Sequence, residues 1–102
     1  MSLRIDTSLN DDLGLISIEG EIDVSNANEL REAIDGLLTQ RPAGMVVDLA
    51  HVAYIDSTGI GVLVGAVHRA KEAGIPFEVA NPQRNVVRVL SLLGVDGELG
   101  IR

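Results

Sequence analysis

The order in which apolar residues change period constrains this chain more than any other feature. Leu3, Ile5, Thr7 and Leu9 alternate with Arg4, Asp6 and Ser8, and Leu15-Ile16-Ser17-Ile18-Glu19 takes the alternation up again. A period of two marks a strand with one wet face. The segment between them, Asn10-Asp11-Asp12-Leu13-Gly14, reads as a turn, so the chain opens with a hairpin that Gly20-Glu21-Ile22-Asp23 ends. From Ser25, placed to cap free backbone N–H groups, the period becomes helical through Ala27, Leu30, Ile34, Leu37 and Leu38, and Arg41-Pro42-Ala43-Gly44 closes that helix.

Met45-Val46-Val47-Asp48-Leu49 is a short, nearly continuous apolar run, the pattern of a strand buried on both faces in a parallel sheet. A connector from His51 to Asp56 follows, and Ser57-Thr58-Gly59 opens a second helix with Ile60, Leu63, Val64, Val67 and Ala70 on its apolar stripe and Gly74 as its stop. Pro76 to Ala80 predicts another strand. Asn81-Pro82 predicts a cap and a first-turn proline for a third helix lined by Val86, Val87, Leu90 and Leu93 and ending at Gly94. This order implies an α/β layer fold with a mixed sheet: an N-terminal hairpin at one side, and parallel strands connected by helices through right-handed crossovers.

Composition narrows the function. A length of 102 residues with 46% hydrophobic content suits one domain over residues 1–102. With no cysteine, a disulfide framework and a thiolate zinc site are excluded. The start Met1-Ser2-Leu3-Arg4-Ile5-Asp6 does not read as a signal peptide, and the longest apolar stretch, Ile60 to Val67, falls far short of the roughly 20 residues that span a bilayer. A cytoplasmic protein without membrane insertion is expected. The formal net charge of −7 argues against nucleic-acid binding, which depends on Lys and Arg neutralising phosphates. That charge is uneven: residues 1–35 carry nine acids against Arg4 and Arg31, while the remainder is balanced. The N-terminal part would steer a basic partner surface toward it.

In such sheets, functional groups collect on loops beyond the carboxyl ends of the parallel strands. One such loop carries Glu21, Asp23 and Ser25, the other Asp56, Ser57 and Thr58, and normal crossovers put both on one rim. A hydroxyl at a helix start with glycines two and four positions on can present its oxygen beside unpaired N–H groups, which suits a phosphate. An ordinary N-cap is the competing explanation for Ser57. Catalysis by Ser57 is disfavoured. Ile55-Asp56-Ser57-Thr58-Gly59 lacks the first glycine of a nucleophile elbow, and His68 lies about 16 Å along the helix at roughly 1.5 Å per residue. His51 would need an unusual loop to approach. Gly59-Ile60-Gly61 has Val64 where a dinucleotide fingerprint needs its third glycine, and no lysine follows as in a phosphate-binding loop, so no cofactor is expected. Glu21, Asp23, Asp48 and Asp56 lack calcium-loop spacing and read as solvated rim charges, not as a metal site. Gly61 and Gly65, with Val62 and Ala66, leave a low-relief strip on the second helix that fits either packing on the sheet or contact with another protein's helix.

Gly20-Glu21-Ile22-Asp23, Val47-Asp48-Leu49 and above all Tyr54-Ile55-Asp56-Ser57-Thr58-Gly59-Ile60-Gly61-Val62 resemble the bacterial anti-sigma factor antagonists of the STAS domain class, across nearly the whole chain and in order. The resemblance implies the STAS fold and a non-enzymatic role in transcription regulation. In that role the unmodified antagonist binds an anti-sigma factor that is also a serine kinase. The kinase phosphorylates it and the complex parts, until a metal-dependent serine phosphatase resets it. By position, the resemblance makes Ser57 the phosphorylated hydroxyl and Thr58 its neighbour, with Asp23 and Asp56 as flanking acids. Asp23, Asp56, Ser57, Thr58, Gly59, Gly61, Val62 and Gly65 are the expected partner-binding residues. Other STAS domains lack the switch and serve lipid-transport or stress-sensing complexes, which is the alternative role.

Overall fold

A computed structural model of the chain describes residues 3–95, 97, 99 and 100. β1 (Arg4–Asn10) and β2 (Leu13–Ile22) form the opening hairpin, followed by α1 (Ala27–Thr39), β3 (Gly44–Ile55), α2 (Ser57–Glu72), β4 (Phe77–Ala80) and α3 (Arg84–Leu92). The strands lie in the order β1-β2-β3-β4, the first pair antiparallel and the other two parallel. The turn is shorter than the sequence suggests. Asp11 and Asp12 alone form it, with φ of 50° and 64°, the left-handed conformation that a two-residue hairpin turn needs at both positions.

Ile16, Ile18 and Ile22 of β2 face the same side as Met45, Val47, Leu49, Val52 and Ile55 of β3, and all are buried. Leu30, Ile34 and Leu37 of α1, Ile60, Leu63, Ala66 and Ala70 of α2, and Val86 and Leu90 of α3 close the core over them. Val64, Val67 and Leu38 pack at its margin, and Ala66 takes a buried place on α2 that the periodicity did not assign. Val87 is half-buried, while Leu93 is 52% exposed as the C-cap of α3 and does not line it.

Three expectations need correcting. First, His51 to Ile55 is not a connector, because β3 runs through it. Ser17 lies opposite Asp48 but Glu19 opposite His51, and Gly20 opposite Val52 but Glu21 opposite Tyr54. Each shift inserts one extra β3 residue, so the buried positions step from Leu49 to Val52 to Ile55 and the period of two is lost. β2 likewise continues past Gly20, which takes a φ of 125° beside the second shift. Second, Ser25 does not cap α1: the N-cap is Asn26. Third, Asn81-Pro82 precedes α3, whose N-cap is Gln83. β4 pairs only with Met45 to Asp48, so beyond Asp48 the edge of β3 away from β2 has no strand partner among the described residues. The side-chain amides of Gln83 and Asn85 donate instead to the carbonyls of Ala50 (3.0 Å) and Ala53 (2.7 Å), which anchors α3 to the sheet.

Two glycines of α2 sit in opposite surroundings. A Cβ on Gly59 would stand 2.6 Å from Ile22 Cγ2 and 2.8 Å from Ile55 Cγ1, whereas one on Gly61 would meet nothing within 4 Å. Gly59→Ala is expected to destabilise the fold, because overpacking costs about 1–3 kcal/mol and outweighs the gain in helix propensity. Gly61→Ala is expected to stabilise by up to about 1 kcal/mol. Thermal unfolding of the two variants checks this: the midpoint should fall for the first and rise for the second.

Candidate functional site

Because β2 and β3 are parallel neighbours, with Ile22 opposite Ile55, their carboxyl ends deliver two loops to one place. The β2–α1 loop is organised by two side chains. Asn26, buried to 3% exposure, accepts from the Asp23 N–H through Oδ1 (2.9 Å) and donates through Nδ2 to the Glu21 carbonyl (2.8 Å). Both polar ends of its amide are thereby satisfied, as a buried amide requires. Asp23 Oδ1 accepts from both the N–H and the hydroxyl of Ser25, which is why Ser25 is unavailable as a cap.

The second loop is a single residue. Asp56 is the N-cap of α2, and its two carboxylate oxygens serve different elements. Oδ1 accepts from the Gly59 N–H at 3.0 Å, a capping bond. Oδ2 accepts from the Val24 N–H at 3.2 Å, across to the β2–α1 loop. The Asp56 N–H in turn donates to the Ile22 carbonyl at 3.1 Å.

The cap explains the state of Ser57. With Asp56 in the capping place, Ser57 and Thr58 become the first two helical residues, and both are exposed. Among the described residues neither hydroxyl forms a hydrogen bond. Their backbone amides belong to the first turn, which has no preceding carbonyls to reach, and the helix dipole makes that end favourable for negative charge.

The other expected partner-binding residues divide. Asp23, half-buried, stands at the rim through the loop that Asp56 holds. Gly61 is exposed and Val62 half-buried on α2. Gly65 gives room to Arg69, whose Nη1 would lie 3.1 Å from a Cβ there. Gly59 is buried, and its missing side chain is accounted for by Ile22 and Ile55 rather than by a partner. Two exposed apolar side chains join the rim without having been anticipated: Val24, 76% exposed, and Tyr54, 48% exposed. Tyr54 was hidden in the supposed connector, and only the second shift in β3 register reveals that it points away from the core. Among the described residues no three of His, Asp and Glu gather as a metal-binding group.

The STAS domain model matches residues 4–102. The anti-sigma-B factor antagonist of Bacillus subtilis (strain 168) is 34% identical over 95 residues, covering 93% of this chain and 86% of the relative. The protein of the same name from Staphylococcus epidermidis is 28% identical, over 93% and 88% of the two chains. The crystal structure of an anti-sigma factor antagonist from Mycobacterium paratuberculosis superposes with a TM-score of 0.87 at 27% identity, covering 98% of this chain and 85% of that one.

Two outcomes follow from the loop bonds. The hydroxyl and N–H of Ser25 hold the Asp23 carboxyl below the usual aspartate range. A carboxyl whose value is lowered by folding lends stability above the unfolded value and loses it as pH falls through the folded one. Ser25→Ala is therefore expected to move the Asp23 titration upward, toward the ordinary aspartate value, as read by carboxyl NMR. Asp56→Ala removes the cap, worth about 1 kcal/mol, together with the link to Val24. Urea unfolding should show that loss, and amide exchange at Val24 should accelerate.

Proposed function

The chain belongs to the STAS domain family and, within it, to the anti-sigma factor antagonists, and from that premise we propose that Ser57 is the phosphorylated switch of its contact with an anti-sigma factor. One observation carries the reading: Asp56 rather than Ser57 caps α2, which leaves an exposed, uncommitted hydroxyl on the shared rim of two bonded loops. A cap residue would have to give up its own bond to be modified. Ser57 does not.

In this reading the unmodified protein binds an anti-sigma factor that is also a serine kinase. The kinase transfers the γ-phosphoryl group of ATP to Ser57 Oγ, and a metal-dependent serine phosphatase hydrolyses the ester to reset the cycle. The protein itself catalyses nothing and works in the cytoplasm. His68, on the same helix as Ser57, is about 16 Å further along at 1.5 Å per residue, too far to serve as its base.

The energetics separate binding from folding. A phosphate adds about −1.5 to −2 charges at pH 7. On Ser57 it stands beside Asp56 and the Asp23 loop, so it repels an acidic partner surface and obstructs close contact. The start of α2 tolerates the same charge, because aligned peptide dipoles leave a partial positive charge there. The fold should survive while the interface fails.

Ser57→Ala is expected to keep the fold and bind the anti-sigma factor persistently. Ser57→Asp should keep the fold and bind weakly, and Thr58→Ala should still accept phosphate. Intact mass after incubation with the cognate kinase and ATP, paired with calorimetric affinities, tests this. Phosphate uptake persisting in Ser57→Ala, or equal affinities for wild type and Ser57→Asp, would sink the switch.

A further inference from the structure

Beside the Ser57 rim, between α1 and α2, lies a cleft of about 240 Å³ lined by Arg31, Thr58, Gly61, Val62 and Arg69. Its charge is the reverse of the protein's. Arg69 Nε donates to Asp35 Oδ1 at 2.9 Å, and Nη2 approaches the same oxygen at 2.8 Å but outside hydrogen-bond geometry. Arg31 Nε stands 3.8 Å from Asp35 Oδ2, the long limit of an ion pair, and its side chain is 60% exposed. Two guanidinium groups thus share one carboxylate. A positive charge is left over in a chain whose net charge is −7.

The shape of the cleft is a second, independent observation. Gly61 lies inside a helix, where glycine is unfavourable, yet a Cβ there would meet nothing within 4 Å. Nothing in the packing of the described residues accounts for it. Gly61 itself lines the cleft, together with the apolar Val62 and the hydroxyl-bearing Thr58.

We propose that this cleft binds one acidic side chain, a glutamate or aspartate, of the anti-sigma factor. Its methylene carbons lie over Gly61 against Val62, and its carboxylate accepts from the Arg31 guanidinium and the Thr58 hydroxyl. A carboxylate fits because charge-assisted bonds to a guanidinium are the strong ones, and the α2 dipole adds to them. The proposal rests on the reading that the α2 rim contacts the anti-sigma factor, and it gives the Ser57 phosphate a specific target. That phosphate, one residue from Thr58, competes for Arg31 and repels the incoming carboxylate.

The test uses the full chain and the anti-sigma factor encoded in the same genome, with affinities from calorimetry at several salt concentrations. Arg31→Glu is expected to weaken binding at least about tenfold and to flatten its salt dependence. Gly61→Ala is expected to weaken binding as well, although it stabilises the helix, a combination that a purely structural role for Gly61 would not produce. Among Asp→Arg and Glu→Arg variants of the anti-sigma factor, one should bind Arg31→Glu more tightly than it binds wild type. Wild-type affinity in both Arg31→Glu and Gly61→Ala overturns the cleft and leaves the Ser57 reading standing. A wild-type chain that binds no anti-sigma factor overturns both. Self-association of the wild type that Arg31→Glu abolishes, with anti-sigma binding unchanged, overturns the cleft in favour of a contact between two copies.

Discussion

The carboxylate of Asp56 joins what the sheet only brings near. Two parallel strands can deliver two loops to one edge, but nothing in strand pairing fixes one loop against the other. Asp56 does so with its two oxygens, one on the Gly59 N–H at the head of α2 and one on the Val24 N–H in the β2–α1 loop. A serine hydroxyl and an asparagine amide each offer one acceptor oxygen, whereas the carboxylate sets a separate oxygen on each amide. The constraint reaches further through the backbone, because the Asp56 N–H is held by Ile22, whose side chain closes over Gly59. Cap, loop and core contact are one unit.

Placing the cap one residue earlier than the serine has a chemical consequence. Two adjacent hydroxyls, on Ser57 and Thr58, stand at the positive end of a helix without structural duties of their own. Adding charge there changes what the surface presents more than it changes what holds the fold together. The surroundings are polarised on a short scale: the Asp23 and Asp56 carboxylates lie on the loop side, and the Arg31 and Arg69 guanidinium groups lie in the cleft between α1 and α2. Under the proposed role, the local arrangement at the rim, rather than the net charge of −7, would decide which partner surface is accepted.

Much of this was legible in the sequence because the local signals agree. The hairpin alternation, the helical stripes of α1 and α2 and the glycine stop at Gly74 all point to the observed order of elements. The rest was hidden by tertiary causes. The second half of β3 does not alternate, because two bulges carry Val52 and Ile55 to the core at intervals of three, and with them Tyr54 to the surface. Ser25 has the composition of a cap and loses the place to Asn26, since Asp23 engages its hydroxyl. The start of α3 is set by side-chain amides filling the open edge of β3, a bond between distant segments that no local pattern encodes. Arg31 and Arg69 are 38 positions apart in number, and only helix packing makes them neighbours around Asp35.

Gly59 and Gly61 show where reading residue types reaches its end. In the sequence they are alternate members of one motif, and both looked suited to a partner. In the fold, Gly59 is required from within, because the branched side chains of Ile22 and Ile55 occupy the volume its Cβ would need. Gly61 is required by no contact among the described residues. A glycine costs a helix interior roughly 1 kcal/mol wherever it stands, so the cost at position 59 is offset by core packing, while at position 61 the fold supplies no such return. A Cβ at position 61 would find open space, on the face where Ser57 and Thr58 also point away from the core.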